Sequence, residues 1–349
     1  MKDLKSTKPD LFKLGVPRRR TVSVSEQSLV TLRPLYGDAD LPLVVEPAVE
    51  GVDLVSWAGS HRELLDDKLT RHGGILFRGF GVGSEEEFER FIAASSGDAL
   101  EYKERSSPRH QVSGNIYTST DHPPDQPIFL HNEHSYSQVF PLRIFFYCKT
   151  AAQQGGATPL ADTRRIKQRL PAEVVRRFAE KGYAYVRNFG DGFGLSWQTA
   201  FQTDDRARVE EYCRKAGIEM EWKPGDRLRT RQVRPALTRH PVSGDEIWFN
   251  HVTFFHVTTL QPEIRDGLLA QFAEEDLPNN TYYGDGTSIE PEVLDTLRGV
   301  YAAEERAFPW QEGDVLMLDN MLAAHGREPF QGARKVLVGM AQPIHRDRL

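Results

Sequence analysis

Cysteine is nearly absent: Cys148 and Cys213 are the two thiols in 349 residues. They cannot build a disulfide framework, and such sparse cysteine fits a reducing, cytoplasmic compartment. Long apolar runs are missing too. No uncharged apolar stretch approaches the roughly 18 residues that a membrane-spanning helix needs, so no membrane partner is expected. There is no excess of positive charge: 44 Lys and Arg against 50 Asp and Glu give a net charge of −6. That leaves no bulk basic field for nucleic acid. Glycine and proline, 28 and 21 residues, are ordinary in number and exclude collagen-like and low-complexity chains. The glycines at 190, 192 and 194 follow no clear strand and lack dinucleotide-binding spacing.

What is present is enough apolar residue, 39%, to bury a sizeable core. Residues 1–20 carry seven Lys and Arg against two Asp, with no apolar stretch of the kind a secretory signal has. They read as a basic, flexible tail, with a transit peptide or a partner-binding arm as alternatives. Composition does not break after the tail, so residues 21–349 are expected to form a single domain. The pattern predicts helices at Arg62–His72, Arg206–Ala216, Pro262–Asp276 and Glu292–Glu305. Ser84 to Glu87 has capping-box spacing ahead of Phe88, Phe91 and Ile92. Short buried strands are expected at Ile75–Phe77, Ile144–Cys148, Val315–Leu318 and Val336–Val338. Strands at both ends and a mixed, largely helical stretch around 200–305 suggest a mainly β sandwich or barrel with α insertions, not a doubly wound sheet.

The chemistry concentrates in a few residues. His131 and Glu133 stand two apart, and on a strand such residues share a face. An imidazole and a carboxylate on one face can hold one metal ion. His325, beyond the strand Val315–Leu318 and a turn-like segment from Asp319 to Ala324, is the best third ligand. Two His and one carboxylate make the facial triad of non-heme iron(II) oxygenases. An iron-bound 2-oxo acid with a distal carboxylate needs a cation and a hydroxyl at its far end. Arg334, nine residues after His325, offers a bidentate fork, and Thr158 in GGATPLAD offers the hydroxyl. Arg327 is a competing cation, and Gly155-Gly156 on its own could be only a turn.

Four stretches carry a family resemblance: GGILFRGFG (73–81), IYTSTDHPPDQPIFLHNEHSYS (116–137), GGATPLADTR (155–164) and GDVLMLDNMLAAHGREPFQGARKVLVGM (313–340). Through them the chain resembles the TauD/TfdA, taurine dioxygenase-like superfamily of Fe(II)/2-oxoglutarate-dependent oxygenases. Glutamate rather than aspartate in H-x-E, and the HGR-P-F-G-R closing segment, resemble the clavaminate synthase and syringomycin-type β-hydroxylase branch. The resemblance implies a double-stranded β-helix (jelly-roll, cupin-like) core. It implies iron(II) at His131, Glu133 and His325, 2-oxoglutarate contacts at Thr158 and Arg334, and O2 as the second cosubstrate. It also implies a substrate-pocket role for Tyr136. Several relatives have a second arginine where this chain has Val338, so a substrate anchor borrowed from taurine dioxygenase is not expected. The carboxylate at 133 argues against a halogenase, which needs that coordination site vacant.

The expected activity is hydroxylation of an unactivated C–H of an amino acid or its derivative, with release of succinate and carbon dioxide. The resemblance allows a free substrate or one carried on a peptidyl carrier protein, and a homo-oligomer. The alternative is desaturation, cyclisation or C–heteroatom cleavage on another small molecule. A non-catalytic jelly-roll module is a third reading, disfavoured by the intact triad and Arg334. Tyr136, Asn250 and His251 are the expected substrate contacts, with Trp248 and Phe249 adjacent, although Trp248–His251 also reads as an ordinary aromatic strand.

Overall fold

The computed structural model describes residues 29–349 except 38, 98–109, 120–121 and 191; the basic tail lies outside the described residues. An eight-stranded sheet runs in the order Val30–Tyr36, Ala39–Pro47, Gly74–Phe77, Val315–Asp319, Val139–Thr150, Lys335–His345, Ile116–Thr118, Gln111–Ser113. Its neighbours are antiparallel except Ala39–Pro47 against Gly74–Phe77. The central strands are apolar on both faces because both are covered. Ile75, Phe77, Phe145, Tyr147, Val315, Met317 and Leu337 pack with Trp57, Leu65, Leu69, Phe88 and Phe91 of three helices. The alternate residues Leu76, Ile144, Phe146, Leu316, Leu318, Val336 and Val338 pack toward Leu160 and Ala323 of a second, three-stranded sheet. That period of two is the strand's own geometry. It also explains why these strands read as continuous apolar runs rather than alternating ones.

The small sheet has the order Ile128–His131, Ala323–Arg327, Leu160–Asp162. A third, four-stranded antiparallel sheet follows the order Glu219–Lys223, Arg227–Arg234, Tyr183–Phe189, Asn279–Tyr283. The stretch expected to be mostly helical around 200–305 therefore contributes strands to a sheet centred on Tyr183–Phe189. Short strands separated by turns carry a weak periodic signal, which is why they were illegible. The helices Arg62–His72 and Arg206–Ala216 form as expected. Pro262–Gln271 ends earlier than expected, and Pro291–Glu304 begins one residue earlier, each with Pro in its first turn. Ser84 caps its helix by accepting from the Glu87 N–H at 3.1 Å, and Glu87 accepts in return from the Gly83 N–H at 3.0 Å. Both cysteines are buried and neither is in a disulfide, and burial pushes the Cys148 thiol up to about 12, which makes it inert.

Candidate active site

His131 ends one strand of the small sheet, and His325 sits in the middle of its neighbour, directly opposite in register. The sheet thus sets the two rings side by side, with centroids 4.6 Å apart. Each ring is wedged by a phenylalanine: Phe254 lies 4.4 Å from His131 and Phe146 lies 5.1 Å from His325. The His131 Nδ1–H donates to the Phe129 carbonyl at 2.9 Å, which leaves Nε2 for a metal. Ala323 and Ala324, expected in a turn, are already strand, so His325 is held by a ladder rather than a loop. Gly326 is required beside it, since a Cβ there would lie 2.6 Å from the Ile128 carbonyl oxygen.

Glu133 arrives differently from the same-face expectation. The strand stops at His131 and the chain turns, with the Ser135 N–H donating to the Asn132 carbonyl and His134 in the left-handed region at φ 56°. Asn320, 187 residues away, fixes this turn. Its Oδ1 accepts from the Glu133 N–H at 2.7 Å, and its Nδ2 donates to the carbonyls of Glu133 and Pro141 at 2.9 Å each. The result is a cluster in which one ligand atom from each of His131, Glu133 and His325 lies within 4.8 Å of the others. Two imidazoles and a carboxylate at that spacing fit a single divalent ion of the iron class. His134, three places past the strand's last residue and beyond the turn that ends its parity, does not face away from the cluster. It is buried, and its Nε2 lies 3.4 Å from Glu133 Oε1 rather than on the far face.

Asn320 is itself anchored by its neighbour. The buried Asp319 carboxylate accepts from the Met321 N–H at 3.0 Å, pairs with Arg143 across the strand, and lies 3.1 Å from His240 Nε2. Burial pushes this carboxyl up, but the His240 hydrogen bond and the Arg143 charge outweigh it and hold it below the usual carboxylate range.

A cavity of about 560 Å³ opens on the cluster and is lined by His131, Glu133, His325, Arg327 and Arg334. That is an ordinary size for a small-molecule site. Arg334 lies just before the strand that begins at Lys335, not within it. Its Nε donates to the Gly156 carbonyl at 2.9 Å, which leaves the two terminal nitrogens as a fork. Gly156, at φ +72°, is what admits it: a Cβ there would meet Arg334 Cδ and Nε at 3.0 Å. Burial and the Arg327 charge push the Arg334 guanidinium down to about 10, with no carboxylate among the described residues offsetting them. Such a cation favours an incoming anion. Arg327, by contrast, spends its guanidinium on the carbonyls of His122, Pro123 and Gln126, so it clamps a loop. Lys335 reaches toward Glu85 at 3.4 Å, on the helical side of the sheet.

The remaining sequence-predicted residues fall away from the cavity wall. Thr158 is buried, and its Oγ1 accepts from Trp310 Nε1 at 3.0 Å, which leaves its hydroxyl proton to donate. Tyr136 is fully buried between Tyr185, His251 and Phe255. Asn250 holds backbone, donating to the Ala236 carbonyl and accepting from the Val252 N–H. His251 packs behind His131, centroids 5.8 Å apart, and bonds Ser135; burial and the neighbouring His131 hold its pKa well below the usual range. The walls that sequence reasoning missed come from the third sheet and from the segment between its strands Arg227–Arg234 and Asn279–Tyr283: Arg187, Phe189, Phe254, Phe255, Leu260 and Asn279. The aromatic run around Phe254 was the one signal that could have found them.

The description "Taurine catabolism dioxygenase TauD, TfdA family" fits residues 37–341. The dapdiamide synthesis protein DdaC of Enterobacter agglomerans is 40% identical over 314 residues, covering 90% of this chain and 95% of that one. A clavaminate synthase-like protein of Arabidopsis thaliana is 30% identical over 329 residues, covering 88% and 95%. Among solved structures, PvcB from Pseudomonas aeruginosa superposes with a TM-score of 0.52 at 18% identity, covering 91% of this chain and 92% of that one. A second PvcB structure, of "an Fe, alpha-ketoglutarate dependent oxygenase from an isonitrile synthetic pathway", gives 0.51 at 20% identity, covering 94% and 95%. With this sheet-rich fold, the clustered donors and a match across most of its length, the chain belongs to the TauD/TfdA family of Fe(II)/2-oxoglutarate-dependent dioxygenases.

Proposed function

We propose that this dioxygenase hydroxylates an unactivated C–H of an amino acid or amino-acid-derived substrate in specialised metabolism. The observation that carries the reading is the shared cavity: the three ligand atoms and the Arg334 fork open on one space. The large sheet facing the small one is read as the two halves of a jelly-roll core. His131, Glu133 and His325 are assigned to ferrous iron, and Arg334, which lines the cavity, to the distal carboxylate of 2-oxoglutarate. When bound, the iron supplies oxygen activation coupled to conversion of 2-oxoglutarate to succinate and carbon dioxide.

The chain's own residues do the positioning. The Phe129 carbonyl fixes which His131 nitrogen faces inward. Asn320 holds the backbone of Glu133 at both its N–H and its carbonyl, which fixes where the side chain starts. Phe146 and Phe254 pack the imidazoles and keep bulk water from their faces. The synthesis role printed for DdaC and the clavaminate synthase-like name of the plant relative support biosynthetic hydroxylation. The protein is read as cytoplasmic, with free delivery of the substrate and delivery on a peptidyl carrier both open to test; no helix among the described residues is long and apolar enough to cross a membrane.

The test is product mass. Iron(II), 2-oxoglutarate, ascorbate and oxygen are supplied with a panel of amino acids, free and loaded on a carrier. A gain of one oxygen per succinate formed is the expected result. Loss of two hydrogens, or a fragment, would replace hydroxylation with desaturation or cleavage.

A further inference from the structure

One polar side chain on the cavity wall has its hydrogen-bonding role forced on it. His256 lines the cavity beside Phe254, Phe255 and Leu260, and it is 9% exposed. It stands just before the turn Val257–Thr259 and caps it, Nδ1 accepting from the Thr258 N–H at 3.2 Å. A ring nitrogen that accepts from an N–H carries no proton, so the proton of the neutral imidazole is on Nε2. The Thr258 hydroxyl, 2.8 Å from the same Nδ1, must then donate to it as well. Its oxygen accepts from Arg298 at 3.0 Å, which polarises it for that donation. Burial and the Arg298 charge hold the His256 pKa down to about 4, so the ring is neutral at pH 7. The turn is pinned in its turn: the Val257 N–H donates to Asn280 Oδ1 at 3.2 Å and the Thr259 hydroxyl to the Thr253 carbonyl at 2.6 Å. With Nδ1 committed to Thr258, Nε2–H is left on the other side of the ring, with no hydrogen-bond partner among the described residues. A nearly buried donor left unmet costs free energy, and more so beside aromatic rings than in water.

We infer that the His256 Nε2–H is a substrate-recognition donor, and that the substrate presents a carbonyl oxygen to it from a part lying against Phe254, Phe255 and Leu260. Neutral imidazole with this tautomer gives one hydrogen and accepts none at Nε2. An ammonium placed there meets hydrogen with hydrogen, whereas a carbonyl oxygen completes the bond. Phe254 reaches from this wall to the metal end, its ring 4.4 Å from that of His131. A carbonyl held at His256 therefore sits one aromatic ring away from the triad and orients the rest of the substrate toward it. This rests on the reading of the cavity as the substrate site given above.

The experiment is calorimetry on the full chain, anaerobic, loaded with iron(II) and saturated with 2-oxoglutarate. The probes are 4-phenylbutan-2-one, whose ketone only accepts, and 4-phenylbutan-2-amine, its similarly shaped ammonium. His256→Ser keeps an oxygen to cap Thr258 and removes the Nε2–H; His256→Phe keeps a ring and removes it too. Losing one hydrogen bond in a nearly buried site should weaken the ketone about fivefold or more in either variant, with the amine little changed. No ketone binding by the parent protein overturns the inference, as does unchanged ketone affinity in a folded variant. An equal loss for both probes also overturns it, since that makes His256 a packing residue. Should neither variant fold, nitrogen-15 spectra of the parent histidines decide, with zinc in place of iron to keep the centre diamagnetic. The expected signature is a His256 ring protonated at Nε2, whose Nε2 resonance moves when the ketone is added. Protonation at Nδ1, or an Nε2 resonance indifferent to the ketone, overturns it. A product from the amino-acid panel without the added oxygen would revise the reaction and leave this binding result standing.

Discussion

The two ends of the cavity are held by different forces. At the metal end, side chains are fixed by polar bonds to backbone: His131 to Phe129, Asn320 to Glu133, Arg334 to Gly156. At the far end, the wall is made of stacked rings and of the helix Pro262–Gln271, in which no residue is buried. Hydrogen bonds are directional and specify a geometry to tenths of an ångström. Ring and aliphatic contacts specify burial and tolerate shifts. Rigid chemistry next to an adaptable wall is the division that lets one reaction centre serve different substrates.

The largest effect tests the rigid end. His131→Ala, Glu133→Ala and His325→Ala should each abolish succinate formation and lower the iron bound per chain; near-normal turnover in any one would remove that residue from the cluster. His134→Ala tests a neighbour of the cluster, because its ring lies against Glu133. Loss of a partner to a ligand commonly weakens metal binding by roughly 10–100-fold, and that is the expected result in an iron titration. Unchanged iron affinity would make His134 a packing residue only.

Next comes the support beneath the turn. Asp319→Asn leaves the buried Arg143 with only the half-exposed Asp66 as counter-charge, which should cost about 3–5 kcal/mol of stability at neutral pH. The pH dependence has a definite sign. The carboxyl is held below its usual value, so its stabilising contribution is present above the unfolded pKa of about 3.9 and is lost as pH falls through the lower folded value. Urea denaturation of parent and variant should therefore converge in acid. A gap that stays constant from neutral to acid pH would assign the effect to packing rather than charge.

Arg334→Ala should raise the 2-oxoglutarate KM roughly thirtyfold or more, from about 2–5 kcal/mol of lost charged pairing. Arg334→Lys should recover only part of it, since an ammonium is not a fork. Arg327→Ala should show mainly lowered thermal stability, because its bonds go to the loop at His122–Gln126. The reverse pattern, with the KM effect in Arg327→Ala alone, would exchange the two roles.

The same divide governs what could be read from the chain. The central strands were legible because apolar runs and their flanking turns are local signals. The clustering of His131, Glu133 and His325 was legible because their residue types and motifs are distinctive. The reason given for it was partly wrong: Glu133 reaches the metal end through a turn tied to Asn320, and a bond spanning 187 positions leaves no periodic trace. The same turn brings His134 against Glu133. Tyr136, Asn250 and His251 stood out as polar and aromatic residues near motifs, yet burial turned them into supports for backbone and for the rings behind His131. Arg187 and Asn279 were invisible, since their pairing exists only through the register of the third sheet.

The smallest effect tests the adaptable end. Ile264 and Leu268 line the cavity from a helix with no buried residue, and Ile264 is 38% exposed. Truncating Ile264 removes little buried area, so Ile264→Ala should change folding stability by less than about 0.5 kcal/mol. The same lack of burial predicts that amides of Pro262–Gln271 exchange by local opening well below the global unfolding energy. Those of Ala323–Arg327, buried throughout and paired on both sides, should need near-global opening. Hydrogen exchange read segment by segment measures the contrast directly. If the helix proves as protected as the His325 strand, the far wall is rigid, and selection there works by fixed shape rather than by an adaptable surface.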